Sequence, residues 1–155
     1  MYRKDDKIYY DWIDYAHDIK EIKDLEFNHV VGIYRGSLGM AAHVSNVFDV
    51  PMSIVGFQTR DAEDKEPYMI YRKGGLKSNT ANILVVDDIY DTGFTMNGVI
   101  KFLSHPSINK IQGFCLFGKD NDINVSCANI HDGSWIVFPW ETLDEPAGFE
   151  CHEPL

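Results

Sequence analysis

One stretch, ILVVDDIYDTGFT at residues 83–95, limits the possible folds of this chain more than any other. Its apolar start predicts a buried strand over 83–87, and the acids Asp87, Asp88 and Asp91 stand at the end of that strand. Continuous apolar strands are typical of parallel sheets that are covered on both faces. Three carboxylates within five positions disfavour one another's ionisation, so solvation alone explains them poorly. The cluster indicates a site for a metal ion, for sugar hydroxyls or for a cation formed in a reaction.

The turn after these acids has the features of an anion site. Thr92, Gly93, Phe94 and Thr95 lead directly into a predicted helix over 95–104. The N-terminus of a helix presents unpaired N–H groups and a partial positive charge, which together attract phosphate. The chain lacks the GxxxxGK[ST] and GxGxxG motifs, and its DDxxD spacing differs from the DxD of haloacid-type phosphatases. Carboxylates for a polyol beside a cradle for an anion predict a site for a sugar phosphate.

Further apolar runs predict strands that alternate with helices. The predicted strands cover 29–34, 52–57, 111–117 and 135–138, and a further helix covers 38–48. Asp11 is expected to cap a helix with Trp12, Ala16, Ile19 and Ile22 on its apolar side, and the tyrosine-rich N-terminus to be a helix face docked on the sheet. This alternation predicts an α/β fold with a parallel sheet, in which ligands bind at the carboxyl ends of the strands.

A second loop is expected on the same edge of that sheet. Arg35, Gly36 and Ser37 follow one predicted strand and open a predicted helix. Glycine lets backbone N–H groups approach an anion closely, and arginine adds a fixed charge with several donors. An ordinary strand-to-helix turn would read the same way in isolation. Two such loops on one edge favour a ligand with phosphate at one end and pyrophosphate near the other.

Composition narrows the classes of partner. The net charge of −10 argues against a broad basic face for nucleic acid. Cys115, Cys127 and Cys151 form no metal-binding pattern and predict reduced thiols in a cytoplasmic protein. The chain shows neither an apolar signal core near its start nor a run of membrane-spanning length, so we expect no membrane association. A length of 155 residues fits one domain.

The motif VVDDIYDTGFT resembles the phosphoribosyl-pyrophosphate motif of type I phosphoribosyltransferases: two acids, two variable positions, then Asp-Thr-Gly-x-Thr. The stretch YRGS resembles the pyrophosphate loop of that family. Lys119 and the pair Trp135-Ile136 resemble the purine contacts of the small bacterial xanthine-guanine and hypoxanthine enzymes. The resemblance implies a single phosphoribosyltransferase domain over 1–155, with a parallel sheet flanked by helices. It also implies a flexible flap at 58–82 and a small base-binding hood with a C-terminal tail at 119–155.

The resemblance assigns the sugar phosphate to residues of the two loops. Asp87 and Asp88 would hold the ribose hydroxyls, with Asp88 also near Mg²⁺. The 5′-phosphate would lie against Asp91, Thr92, Gly93, Phe94 and Thr95. Pyrophosphate would lie against Arg35, Gly36 and Ser37, in a loop that often contains a non-proline cis peptide bond in this family.

The resemblance assigns the base to a further set of residues. Asp91 would accept the proton from N7, and Lys119 would donate to the 6-oxygen. Trp135 would stack on the ring, and the backbone of Ile136 would meet its other edge. The implied activity is Mg²⁺-dependent transfer of phosphoribose from phosphoribosyl pyrophosphate to guanine, xanthine or hypoxanthine, for purine salvage, by a homodimer or homotetramer.

Two departures from the family pattern stand in the loops themselves. Ser37 replaces a second glycine, and Phe94 stands where small residues are common, so its ring must point away from the phosphate. The flap lacks the usual Ser-Tyr pair. These departures leave open a regulator that binds phosphoribosyl pyrophosphate or a nucleotide without turnover. A transferase for adenine, orotate or uracil is a third alternative, which the donor-only ammonium of Lys119 disfavours.

Overall fold

The computed structural model describes residues 1–57, 66–72, 81–119 and 124–141, and the chain forms two compact units. One unit is Glu21–Asp132, and the other combines Met1–Lys20 with the chain from Gly133 onward. The elements in chain order are β1 (Tyr2–Lys4), β2 (Lys7–Tyr9), α1 (Trp12–Asp18), a 3₁₀ helix (Ile19–Asp24), β3 (His29–Tyr34), α2 (Leu38–Phe48), β4 (Met52–Phe57), β5 (Pro67–Arg72), β6 (Ala81–Tyr90), α3 (Phe94–Leu103), β7 (Ile108–Gly118), β8 (Val125–Ile130) and β9 (Trp135–Val137).

The larger unit is built on a six-stranded sheet in the order β5-β4-β3-β6-β7-β8. All neighbours from β4 to β8 are parallel, and β5 pairs antiparallel with β4 at one edge. The predicted α/β fold with a parallel sheet is therefore confirmed. The predicted bounds of β3, β4 and α2 agree with the structure, whereas β6 extends through Tyr90. Asp87 and Asp88 thus belong to the strand itself.

Burial of both faces explains the apolar runs. Residues 83–86 of β6 are fully buried, although successive side chains point to opposite faces. On one face, Met96, Val99 and Leu103 of α3 belong to the same core cluster as Val85. On the other face α2 packs on β3, where Gly32 faces Ala41. The two helices therefore cover opposite faces of the sheet and fix the position of the strand ends.

The smaller unit corrects the prediction for the N-terminus. Residues 2–9 form a hairpin of β1 and β2, not a helix face, and β2 pairs in parallel with β9. The turn is made by Asp5 and Asp6, both at positive φ, a conformation that aspartate tolerates better than most residues. Tyr2 and Tyr9 pair across the hairpin with stacked rings whose centroids are 4.9 Å apart.

The helix that follows the hairpin has the predicted cap but a different buried face. The Asp11 carboxylate accepts from two backbone N–H groups of the first turn of α1, which confirms the cap. The predicted apolar face is wrong for α1, where Trp12 is 55% exposed and Tyr15 and Asp18 are buried instead, but it holds for Ile22, which is fully buried in the following 3₁₀ helix. The Tyr10 hydroxyl donates to the Asp18 carboxylate at 3.0 Å, which offsets the cost of burying that group.

The segment predicted as a flap contains regular structure. β5 occupies Pro67–Arg72, and residues 81–82 begin β6. The remaining parts of the predicted flap, 58–65 and 73–80, lie outside the described residues, as do 120–123 and the tail from 142. Among the helices that are described, none combines the length and apolarity needed to cross a membrane.

The packing of α2 on β3 gives a test of the fold. A Cβ on Gly32 would lie 2.6 Å from the Cβ of Ala41, so α2 can approach β3 this closely only over a glycine. We expect Gly32→Ala to lower the free energy of unfolding by about 1–3 kcal/mol in urea titrations, because overpacking forces the helix outward. Gly39 lies in α2, and a Cβ there would meet no atom within 4 Å. Gly39→Ala should therefore be neutral or raise the free energy of unfolding by up to about 1 kcal/mol. Equal effects of the two substitutions would contradict this account.

Candidate active site

The candidate site lies where the parallel strands β3, β6, β7 and β8 end. The loop of residues 35–37 follows β3, the acids lie at the end of β6, and Lys119 follows β7. Because these strands are parallel neighbours, their carboxyl ends share one edge of the sheet. The structure thus brings together the two loops that the sequence predicted on one edge.

The loop after β3 touches the acids of β6. A Cβ on Gly36 would overlap the carboxylate of Asp88, with the Asp88 Cγ at 2.8 Å. A side chain at position 36 would therefore displace the Asp88 carboxylate. The peptide bond between Tyr34 and Arg35 is cis, as the family resemblance implied. The Arg35 side chain is exposed at the same edge.

Ser37 fastens this loop to the end of β3. Its buried hydroxyl donates to the Ile33 carbonyl and accepts from the Ile33 N–H, both at 2.7 Å. The Ser37 N–H also donates to the Ile33 carbonyl at 3.3 Å. The serine that replaces a family glycine therefore has a structural function inside the loop. Its predicted contact with pyrophosphate stays a prediction.

Asp87 is a carboxyl group held in an unfavourable environment. It is 8% exposed, and its Oδ1 accepts from the Asp88 N–H at 3.1 Å. Burial, and then the charge of Asp88, raise the pKa of Asp87 well above its ordinary value. A ligand that donates hydroxyl hydrogen bonds or carries positive charge would stabilise the ionised form.

The turn after Tyr90 forms a small cradle. Gly93 has φ 75°, and it precedes α3, whose N-terminus has no side-chain cap. Residues 89–96 enclose a cavity of about 80 Å³. Beneath Gly93, the Asn97 amide donates to the Tyr90 hydroxyl at 3.3 Å, and a Cβ at position 93 would lie 2.5 Å from that hydroxyl. The left-handed backbone conformation therefore favours glycine here, and any side chain would also displace the Tyr90 hydroxyl.

The ring of Phe94 lies on the outer side of this turn. It is 56% exposed and meets Phe57 edge to face, with ring centroids 5.5 Å apart. Together with Thr92 and Gly93, the two rings line a groove of about 1000 Å³ along α3. The Phe94 N–H donates weakly to the Thr92 hydroxyl at 3.4 Å.

Three neighbouring strands end in register and place three charged or titratable groups in a row. Tyr90, Gly118 and Ile130 are partners across β6, β7 and β8. The next residue along each strand is respectively Asp91, Lys119 and His131. The Lys119 ammonium forms an ion pair and hydrogen bond with the Asp91 carboxylate, and both side chains are about half exposed.

Lys119 and His131 both affect the pKa of Asp91. The hydrogen bond from Lys119 lowers the pKa of Asp91, and the charges of Lys119 and then His131 act in the same direction. The sequence pattern did not single out His131 as a site residue. Its position at the end of β8 was the missing signal, and β8 was not predicted as a strand.

The remaining predicted base contacts lie in the smaller unit. Trp135 opens β9 and is 66% exposed, so its indole ring is available for stacking. Ile136 is buried and pairs with Ile8 of β2. Among the described residues, no group of three or more His, Cys, Asp or Glu side chains is arranged to hold a metal ion.

The family can be decided by comparison with known proteins. Residues 3–146 match the family model described as the phosphoribosyl transferase domain. The chain belongs to the phosphoribosyltransferase family. A comparison with curated proteins found no match.

Solved structures of phosphoribosyltransferases have the same fold. Purine phosphoribosyltransferase from Pyrococcus horikoshii has 23% identity and a TM-score of 0.72, covering 91% of this chain and 98% of that one. The xanthine-guanine-hypoxanthine enzyme from Helicobacter pylori has 22% identity and a TM-score of 0.71, covering 87% and 94%. A hypothetical protein from Neisseria gonorrhoeae with bound ppGpp has 19% identity and a TM-score of 0.70, covering 92% and 93%.

The buried acid of this phosphoribosyltransferase should reduce its stability. The folded-state pKa of Asp87 is raised, so the folded chain retains a proton that the unfolded chain releases. Wild-type stability should therefore fall as pH rises from the unfolded pKa through the folded one. Asp87→Asn keeps the acceptor for the Asp88 N–H and should raise the free energy of unfolding by about 1–3 kcal/mol above that window.

The measurement is urea unfolding across pH. The gain from Asp87→Asn should disappear in acid, where the wild-type carboxyl is protonated in both states. Asp24→Asn, at an exposed carboxylate, is the matched control and should change stability little. A destabilised Asp87→Asn protein at neutral pH would refute this reading of the site.

The row at the strand ends gives a second pH-dependent test. Lys119→Met removes the hydrogen bond and the nearest positive charge, so the pKa of Asp91 should rise toward its ordinary value. His131→Asn should raise it by a smaller amount. Carboxyl NMR titration measures both shifts, with Lys110→Met, an exposed lysine of β7, as the control. An Asp91 pKa that does not respond to Lys119→Met would show that the ion pair does not persist in solution.

Proposed function

We propose that this chain transfers phosphoribose from phosphoribosyl pyrophosphate to guanine, xanthine or hypoxanthine, forming a nucleoside monophosphate and pyrophosphate in purine salvage. One observation carries the proposal. The cradle at Gly93, the acid pair Asp87-Asp88 and the loop at Gly36 lie along one edge of the sheet, with Gly36 in contact with Asp88. A sugar that carries phosphate at one end and pyrophosphate at the other matches this order.

The sugar would be held between the two anion sites. The 5′-phosphate would occupy the cradle of residues 92–95, where the uncapped N-terminus of α3 presents its N–H groups. The ribose hydroxyls would donate to Asp87 and Asp88. Pyrophosphate would lie against Gly36, beside the exposed Arg35 guanidinium.

The donor set fits Mg²⁺ in the manner of a substrate-borne metal. Mg²⁺ in proteins is commonly held by one or two carboxylates together with substrate phosphates, not by a complete protein cage. Asp88, in contact with the pyrophosphate loop, would supply that carboxylate. The bound ion would neutralise charge on the pyrophosphate as it leaves.

The acids would act on the sugar as its bond to pyrophosphate breaks. C1′ then gains positive charge, and fixed carboxylates in a water-poor site stabilise such charge effectively. Asp87 suits this task because burial has removed the water that would otherwise solvate it. Its ionised form would become most favourable when the cationic sugar is beside it.

The base would displace the ion pair at the end of the strands. Asp91 would accept the proton from N7, and its lowered pKa keeps it in the ionised, accepting form. Lys119 would turn to the 6-oxygen, since an ammonium can donate but cannot accept. Water screens the exposed ion pair of Lys119 and Asp91. Replacing that ion pair by contacts with the base would therefore cost little free energy. The exposed Trp135 ring would stack on the purine and the Ile136 backbone would meet its far edge.

The choice of a 6-oxopurine rests on Lys119 and on the similarity to purine enzymes. An amino group at C6, as in adenine, has no suitable acceptor for the ammonium. The Helicobacter pylori protein, named for xanthine, guanine and hypoxanthine, supports the same class of base. We further propose a homodimer or homotetramer, as is common in this family.

The deciding experiment is a panel of guanine, xanthine, hypoxanthine, adenine and uracil with phosphoribosyl pyrophosphate and Mg²⁺. We expect nucleotide from the three 6-oxopurines and none from adenine or uracil. Asp91→Asn should lower kcat by about 10²–10⁴-fold, the usual contribution of a general base. Lys119→Met should reduce kcat/KM for 6-oxopurines, whereas Lys110→Met should leave it unchanged.

A regulatory protein is the alternative outcome of this panel. The Neisseria gonorrhoeae structure with bound ppGpp motivates it, because that protein has a similar fold and holds a nucleotide. Calorimetry that detects binding of phosphoribosyl pyrophosphate or ppGpp, with no product from any base, would replace the enzyme by a sensor. Full activity of Asp91→Asn would instead retain the enzyme and reject the role of Asp91.

A further inference from the structure

Two cysteines lie side by side within the neighbouring strands β7 and β8. Cys115 and Cys127 are direct register partners in the parallel ladder. Neighbouring strands are about 4.8 Å apart, which falls within the roughly 4.4–6.8 Å that separates the Cα atoms of disulfide-bonded residues. The two thiols are hydrogen bonded to each other and both are free cysteines. The backbone therefore already holds the pair at a distance that a disulfide can span.

This pair lies directly beside the candidate active site. Asp87 of β6 is the register partner of Cys115, so Asp87, Cys115 and Cys127 form a row across three strands. A Cβ on Gly118 would overlap the Cys127 Sγ and would lie 3.4 Å from the Tyr90 Cβ. The Cys127 sulfur thus lies next to Gly118 and Tyr90, the residues that precede Lys119 and Asp91.

The two thiols differ in a way that suits stepwise oxidation. Cys115 is fully buried, whereas Cys127 is partly exposed. The hydrogen bond with Cys127, together with burial, raises the pKa of Cys115, while the same hydrogen bond lowers the pKa of Cys127. Thiolates are the reactive form of cysteine, so Cys127 is the favoured nucleophile and Cys115 remains a thiol until it is needed.

We propose that Cys115 and Cys127 form a reversible oxidation site, in which a peroxide converts the pair to a disulfide. The Cys127 thiolate attacks one oxygen of hydrogen peroxide, giving a sulfenic acid and hydroxide, which takes up a proton from solvent. The Cys115 sulfur then attacks the Cys127 sulfur. The S–O bond breaks, and the departing hydroxide takes the Cys115 proton and leaves as water. Peroxide is reduced by two electrons, and a dithiol reductant reverses the change.

Oxidation would alter the site as well as the pair. The disulfide would remove the Cys115 S–H from the row that contains Asp87 and fix the position of the Cys127 sulfur, which lies next to Gly118. The support beneath Tyr90 and Lys119 changes accordingly. This consequence for activity rests on the proposed transferase function, whereas formation of the bond does not.

The bond can be tested without measuring activity. Trypsin should cut after Lys110 and Lys119, which places Cys115 in fragment 111–119 and Cys127 in fragment 120–155. Cys151 shares that second fragment, so the test uses the full chain with Cys151→Ser. We expect hydrogen peroxide to yield the two fragments joined, with the loss of two hydrogen atoms, and dithiothreitol to separate them.

Single cysteine variants show which of the two thiols reacts with peroxide first. Cys115→Ala should leave Cys127 as a sulfenic acid that dimedone traps, and Cys127→Ala should leave Cys115 unmodified in the native protein. Progression of Cys127 to a sulfinic acid while Cys115 stays reduced would overturn the proposal, as would joined fragments that form only in denaturant. Nucleotide synthesis in the Cys151→Ser protein should fall on oxidation and recover on reduction. If no base is turned over at all, the proposed function fails while the mass result still decides the disulfide.

Discussion

The site depends on the burial of β6 on both faces. Helices α2 and α3 cover the two sides of the sheet, so the strand cannot rotate or slide without exposing its apolar residues. Asp87 and Asp88 of this strand therefore have a fixed position at the edge of the sheet. Asp87 is held in an environment that it would avoid if the strand were free to move. The apolar core therefore supplies the free energy that keeps a carboxyl group without water.

The contact between Gly36 and Asp88 depends on the same constraint. The loop after β3 meets the end of β6, which is far from it in the chain, because β3 and β6 are parallel neighbours. Ser37 holds this loop from within, because its hydroxyl is hydrogen bonded to both the N–H and the carbonyl of Ile33. The bonds to Ile33 and the contact with Asp88 hold this loop from within the chain. Preorganisation of this kind reduces the ordering cost that a bound anion would otherwise meet.

Much of this arrangement could be predicted from the sequence, and the failures share a physical cause. The central strands were identified within a few residues because both of their faces are buried, and α2 and α3 because each buries one apolar face on the sheet. β8, with the sequence VSCANI, mixes polar and apolar residues and lies at the sheet edge, so it has no clear period. His131 was missed together with that strand. The ion pair of Asp91 and Lys119 was also missed, since it depends on register between strands and not on spacing along the chain.

The register of β8 on β7 has a wider consequence. Successive residues of a strand face opposite sides of a sheet, so a slip of one residue would turn His131 away from Asp91. The same slip would separate Cys127 from Cys115. Within the described part of the chain, β8 is the last strand of the sheet and pairs with β7 alone. The pairing of β8 with β7 therefore sets two neighbourhoods at once: His131 beside the Asp91–Lys119 ion pair, and Cys127 beside Cys115.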